Sequence, residues 1–445
     1  MAAAFPPIKE VAEATLPGSQ TTASPINTDE EGAVLGAVDS NGNTYPDGGR
    51  AAWLKVLGSF CAIFPAFSLM NTTGTWQAWL SEHQLADDSQ IRIAWIFGFY
   101  GFLSLFAGLQ WGPMFDAYGP RILAVPGSIG ILTMYCLMGI CKQFWQFFLV
   151  IGLLGGLSTS LLFVPAISTI QHWFLTKRGI TTGIAISAGS LAGIILPVVL
   201  ERAFVRLGFG WSTRVAALIL LPFTIASCVL MESRFHEPLR SRIVIPNLQV
   251  FRRLNIILLT VALFSMELAF FIPLTYMASY AISQGLSTKF AFNLMTILNV
   301  GSLIGRWLPG YLGDRLGYFN VSVVAQIVCI IAMLGLWLPS GSSHALLLVA
   351  AFVFGVGSGS NISLTPVCLG QLCKVEEYGA FYTSISGIAS FGALLGVPIA
   401  GGILTATNDD YAWIIVFGGL IYVIVLVAFL AVRVMAVGWK LKVKF

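Results

Sequence analysis

Charge is scarce in this sequence: 10% of the residues are Asp, Glu, Lys or Arg, against about 25% in an ordinary soluble domain. Beside 57% hydrophobic residues, that scarcity excludes a soluble globule. The seven cysteines, Cys61, Cys136, Cys141, Cys228, Cys329, Cys368 and Cys373, form no C-x-x-C pair and have no histidine nearby. They therefore read as packing residues, neither disulfides nor metal ligands. The first forty or so residues hold no apolar h-region, so no cleavable signal peptide is expected and the first membrane helix doubles as the insertion signal. No span carries a nucleophile beside a base, a Walker loop or a cluster with metal-ligand spacing. That speaks against an enzyme and calls for no cofactor and no metal. The formal charge of +4 points to no nucleic acid; where the charges lie matters more.

What is present is a recurrence of apolar runs. Residues 1–46, rich in Ala, Pro, Thr, Ser, Gly and Asn, lack apolar periodicity and read as a disordered tail. Six runs follow, at about 53–80, 91–112, 120–141, 144–171, 179–204 and 211–232. Each approaches or exceeds the roughly 20 residues that one bilayer crossing takes. Residues 233–253 form a basic connector with Arg234, Arg240, Arg242, Arg252 and Arg253. Six more runs lie near 254–283, 290–312, 318–339, 344–371, 378–406 and 411–433, and 434–445 form a second tail. The expected fold is an all-α membrane protein of twelve transmembrane helices, in two six-helix halves over 47–232 and 254–433.

Twelve spans put both termini on one side. Arg92, Lys142, Arg202, Arg206, Arg214 and Lys289 fall on the opposite side, leaving the other eighteen of the 24 Lys and Arg with the tails. The positive-inside rule therefore places both termini in the cytosol. The expectation is a multi-pass protein, monomeric in the lipid bilayer of the plasma membrane.

The halves repeat. Gly112, Asp116 and Gly119 recur as Gly310, Asp314 and Gly317 at an offset of 198. Gly152, Gly156, Gly189 and Gly193 recur as Gly355, Gly359, Gly392 and Gly396 at 203, and Pro165 and Pro197 as Pro366 and Pro398 at 201. Two parallel repeats about an axis along the membrane normal are an alternating-access design, with the substrate bound at midplane between them.

The stretch Gly112-Pro-Met-Phe-Asp116-Ala-Tyr-Gly119-Pro-Arg121 resembles the cytoplasmic loop motif of the Major Facilitator Superfamily. Its second-half counterpart is Gly310-Tyr-Leu-Gly-Asp314-Arg315-Leu-Gly317. The resemblance implies a conformational gate at Gly112, Asp116, Arg121, Gly310, Asp314 and Arg315, which in the family helps lock the outward-facing state. Pro46-Asp47-Gly48-Gly49-Arg50-Ala51-Ala52-Trp53 and His172-Trp173-Phe174-Leu175-Thr176-Lys177-Arg178-Gly179 resemble segments of monocarboxylate porters, notably fungal ones.

Charged groups inside spans are functional candidates by default. Glu267, about thirteen residues into the seventh span, is the one acid that deep. A buried carboxyl without a fixed cation can take up and release a proton, which suits proton coupling, or can bridge helices in protonated form. Arg306 stands four residues before Gly310, where the resemblance places the arginine that binds the substrate carboxylate. A guanidinium can hold a carboxylate bidentately, but this one could instead snorkel to headgroups. Two departures break the pattern: Ser302 and Asn71 occupy places where animal proton-linked members carry an acid and a lysine. Asn71, Thr72, Thr73 and Gln77 make a neutral polar stripe instead, which suits a larger, partly polar cargo as well as an acid. Tyr276, Asn299 and Asn361 complete the candidate substrate site, although interhelical hydrogen bonding is the commoner role for such residues.

Two functions from this fold stay open, with a third behind them. One is a secondary carrier of a small, carboxylate-bearing metabolite, working by alternating access and coupled to protons through Glu267. Another is an exporter of a secondary metabolite or toxin. A non-transporting nutrient sensor would need a longer cytoplasmic extension than tails of about 46 and 12 residues.

Overall fold

The computed structural model describes residues 37–38, 44–174, 177–234, 251–372 and 378–438. Most of the first tail, residues 235–250 of the connector and the last residues of the chain lie outside the described residues. A two-residue antiparallel pair, β1 (Ala37–Val38) with β2 (Thr44–Tyr45), precedes an otherwise helical chain.

Among the described residues nine helices are long and apolar enough to cross a membrane, or ten if one bent pair counts as a span. That pair is the first span, α1 (Gly49–Ala66) and α2 (Thr73–Glu82), joined by a 3-10 turn over Met70–Thr72 and bent by 45°. The second is α3 (Gln90–Phe106) with α4 (Gly108–Tyr118), and the third is α5 (Arg121–Met138). The fourth joins α6 (Phe144–Phe147), a π-helical stretch and α7 (Gly156–Trp173). Helix α8 (Arg178–Leu230) is 53 residues long, twice what one crossing takes. It breaks at Gly208, where φ is +74° and ψ 171°, so it supplies the fifth and sixth spans.

The seventh and eighth spans are α9 (Leu254–Ser283) and α10 (Thr288–Leu316). Although 29 residues long, α10 is absent from the apolar set; it carries Lys289, Asn293, Asn299, Arg306, Asp314 and Arg315. The ninth is α11 (Tyr318–Ile330) running into a π-helical stretch, followed by α12 (His344–Gly370), α13 (Tyr378–Ala406) and α14 (Tyr411–Val437). The broken α1–α2, the divided α8 and the polar α10 bring the architecture to twelve helices.

Within the first half α1 packs along α8, α7 and α5; within the second α9 packs on α13 and α14, and α10 on α12. The halves meet along two seams, α8 against α10 and α3 against α13. They also meet where α2 lies on α9, at the end of the bundle remote from the start of α1. That far end is tightly closed. A Cβ on Gly74 of α2 would fall on the Leu274 carbonyl of α9. Phe292 of α10 reaches the first half's aromatic cluster at Phe204, 6.2 Å between ring centres, where Trp79 stacks on Phe204 at 4.3 Å. Lipid offers no hydrophobic force between helices, so small residues that admit a neighbouring backbone, and interlocked rings, hold such contacts together.

Candidate functional site

The bend in the first span consumes most of its polar stripe. Pro65 interrupts the helix, and the side chains that follow turn back onto its carbonyls. Ser68 Oγ donates to Pro65 O at 2.7 Å, Asn71 Nδ2 to Phe67 O at 3.1 Å, and Thr72 Oγ1 to Ser68 O at 2.6 Å. Thr73 Oγ1 donates to Leu69 O at 3.0 Å. The Ala66 carbonyl accepts from Thr159 Oγ1 at 3.2 Å and from the Tyr100 hydroxyl at 3.4 Å. Thr72 also accepts from the Trp76 indole at 3.1 Å, so its hydroxyl both donates and accepts within the first half. Gln77 differs: its buried amide turns to no carbonyl of the bend and lies against the Tyr276 hydroxyl of α9.

The eighth span meets this bend and the fifth span together. Asn299, 1% exposed, donates from Nδ2 to Met295 O at 2.8 Å and across the halves to Asn71 O at 3.0 Å. Its side chain fits a notch in α8, because a Cβ on Gly193 would collide with the Asn299 carboxamide. Seven residues on, Arg306 is 2% exposed and donates from Nη1 to the Ile186 carbonyl of α8 at 2.7 Å, again across the halves. Its Nε is buried without a partner, and no described acid pairs with it. It does not snorkel. A buried guanidinium lacking a carboxylate carries a desolvation penalty of roughly several kcal/mol, which an incoming anion would offset. Nearer the far end, Lys289 and Glu201 face each other across the same seam at 4.0 Å.

The remaining candidates lie elsewhere. Tyr276 donates to Val397 O at 3.0 Å within the second half. Asn361 and Gln326 exchange amide hydrogen bonds of 2.6 and 3.4 Å, which turns Asn361 toward the ninth span. Glu267 Oε2 is buried without a partner, within electrostatic reach of the Tyr422 hydroxyl of α14. Thus Asn71, Asn299 and Arg306 come together around α8 and α10, whereas Asn361 and Glu267 sit within the second half's own packing and the Tyr276 hydroxyl also lies against Gln77 of α2. A far-end hollow of about 380 Å³ among Gln84, Asp87, Arg92 and Lys142 contains none of them.

The doubled loop motif has a local reason. Gly119 and Gly317 end their helices with φ of +77° and +87°, and their amides close onto Phe115 O and Gly313 O. Only glycine takes such geometry without strain. Gly112 has open space around it; Arg121 and Arg315 are exposed, the latter over the Tyr311 ring at 4.5 Å. The side chains of Asp116 and Asp314 and the surroundings of Gly310 lie outside the described ones. The two porter-like segments meet: Asp47 N donates to Trp173 O at 3.3 Å, and Trp53 packs edge-on to Phe174 at 5.8 Å. Lys55 bridges to Glu232 at 2.7 Å and lies over the Trp173 ring; with Arg121 nearby, it holds the Glu232 carboxyl below the usual carboxylate range. Leu175, Thr176 and the Arg178 side chain lie outside the described ones.

The Major Facilitator Superfamily profile matches residues 57–364 and 310–442. The chain belongs to this superfamily. It is 34% identical over 401 residues to the MFS-type transporter opdF of Penicillium oxalicum, covering 90% of this chain and 94% of that one. It is 31% identical over 444 residues to the riboflavin transporter MCH5 of Saccharomyces cerevisiae, covering 95% and 84%. It is 33% identical over 363 residues to the aspyridones efflux protein apdF of Emericella nidulans, covering 81% and 73%. A crystal structure of the nucleoside transporter NupG superposes with a TM-score of 0.67 at 15% identity over 85% of this chain and 99% of that one, a likeness of fold alone. The protein is therefore a multi-pass membrane transporter of this superfamily, and its relatives are carriers, not enzymes.

The superfamily repeat exposes what a residue-by-residue reading missed. Shifted back by 198, Asn299 and Arg306 fall on Gly101 and Gly108 of α3 and α4; shifted forward by 203, Gly193 falls on Gly396 of α13. The two seams are repeat copies, and polar groups stand at these positions in only one of them. Subtracting the offset would have singled out this pair from the sequence. The Ile186 carbonyl could not have been found that way, since a backbone acceptor leaves no mark in residue types. Gln326, the partner of Asn361, was visible as a polar residue within a span.

Proposed function

We propose that this chain is a secondary carrier of a carboxylate-bearing organic metabolite, working by alternating access between its two halves. The observation that carries this reading is Arg306: buried, charged, without an acidic partner among the described residues, and hydrogen-bonded to the opposite half at the Ile186 carbonyl. A cargo carboxylate arriving there gains a charge-assisted, bidentate partner and supplies the missing counter-charge. Glu267 is the proton-coupling residue in this reading, a carboxyl deep in the second half with no cation paired to it among the described residues. Both termini face the cytosol of a plasma-membrane protein in this reading, which makes the closed far end the outer one. The membership is of the monocarboxylate porter type, with Ser302 and Asn71 replacing the acid and lysine of animal members.

In a second reading the cargo is a larger secondary metabolite moving outward. It is favoured by the likeness to a protein named for aspyridones efflux and by the neutral groups around Asn299. Proteoliposomes loaded with organic acids test the first reading: acid flux is expected in the wild type and background flux in Arg306→Ala at equal incorporation. Equal flux in both would remove the carboxylate handle. Comparing metabolites inside and outside cells lacking the gene gives direction, since retention of one compound supports export and its depletion supports uptake.

A further inference from the structure

Two buried polar groups on one face of α10 remain open. Arg306 has a donor, Nε, without a partner; Asn299 has an acceptor, Oδ1, without one, while its amide hydrogens are held by Asn71 O and Met295 O. The two residues are two helical turns apart, about 10 Å along the axis at 1.5 Å per residue. They face Ile186 and Gly193 of α8, which share the same spacing. In the counterpart seam both places are glycine, Gly101 and Gly108, so packing of such a seam needs neither polar group.

We propose that Arg306 and Asn299 act together as a two-point reader of cargo length. The cargo this selects is an elongated organic acid with a carboxylate at one end and a hydroxyl or N–H donor roughly 5–10 Å away, once a hydrogen-bond length of about 2.8 Å is allowed at each end. This rests on the reading of Arg306 as carboxylate handle. An extended chain advances about 1.2 Å per bond, so a two- or three-carbon acid cannot engage both points, whereas an extended skeleton of about five to eight carbons can. Asn299 discriminates because an acid without the donor leaves its buried acceptor unpaired, the most effective way for a site to reject an analogue. Gly193 keeps the reader in register, since any side chain there displaces the Asn299 carboxamide.

The test is a competition series on the purified full chain in lipid nanodiscs. It uses ω-hydroxy acids of three, six, eight, ten and twelve carbons, each beside the plain acid of equal length. At six and eight carbons the hydroxylated acid is expected to bind about fivefold tighter than its plain partner, the worth of one hydrogen bond, and at three and twelve carbons no tighter. Asn299→Leu, which removes the acceptor while keeping the branching at Cγ, is expected to cut that ratio below about twofold. No hydroxyl advantage in the wild type, or its survival in Asn299→Leu, overturns the proposal. If plain acids bind Arg306→Gln as well as the wild type, the carboxylate handle falls and the reader with it. If they depend on Arg306 but the hydroxyl makes no difference, the reader alone falls. The wild-type series decides by itself should Asn299→Leu fail to assemble.

Discussion

The two seams that join the halves are copies of one another, yet they are built from different chemistry. Along α3 and α13 the contact is glycine, small apolar groups and rings: Gly98 against the Leu394 carbonyl, Gly101 beside Ala393, Phe102 on Phe391. Along α8 and α10 the matching levels hold an ion pair, an amide in a glycine notch and a guanidinium on a carbonyl. An apolar seam can slide or rock with little change in electrostatic energy. A polar seam with open donors and acceptors responds to what binds there. Duplication supplied two equivalent interfaces, and one of them carries the groups that can recognise a cargo.

The comparison breaks most visibly if the seams prove unequal in packing. Gly98→Leu and Gly193→Leu each drive a side chain into the facing helix, the first within 2.6 Å of the Leu394 carbonyl. Both are expected to abolish transport and to lower the melting temperature in detergent, and a tolerated substitution in either seam would show that it is looser than described. Glu267→Gln sharpens the division between the halves: transport is expected to persist at reduced rate while its dependence on a pH gradient is lost, as measured by flux with and without an imposed gradient. Unchanged gradient dependence would move the proton elsewhere.

Smaller effects are expected at the rims. The Lys289–Glu201 pair is 72% and 21% exposed, so Lys289→Ala is expected to change transport less than about fivefold, in line with the roughly 0–1 kcal/mol of exposed pairs. At the opposite end Glu232 is held below its ordinary value by Lys55. Its contribution is therefore present above the usual carboxylate pKa of about 4.3 and lost as pH falls through the depressed value. Thermal melts of wild type and Glu232→Gln are expected to differ slightly at neutral pH and to converge in acid.

Much of the fold was legible in residue types. The twelve apolar runs, the break between the fifth and sixth spans and the doubled glycine motif all follow from period, composition and repeat. The first span stands out in the structure because a 45° bend divides it, and the eighth because polar residues dilute its hydropathy, two of which, Asn299 and Arg306, reach the opposite half. The site was less legible. Thr72 and Thr73 satisfy carbonyls freed by the bend, an outcome that depends on Pro65 and the 45° turn, not on any polar stripe. Asn361 looked like a cavity residue because its partner, Gln326, lies 35 positions away. Arg306 was identified, but the acceptor that holds it across the interface is a backbone group 120 positions distant.

The most direct measurement gives the polar seam the residue its copy already has. Arg306→Gly reproduces Gly108, and equilibrium binding of an organic acid to the purified variant can be compared with wild type in nanodiscs. Affinity is expected to fall at least about tenfold with the melting temperature largely retained, since a charge-assisted pair is lost and a buried unpaired charge is removed with it. Unchanged acid binding in a folded Arg306→Gly protein would contradict the account, because the two seams would then be equivalent in chemistry as they are in ancestry.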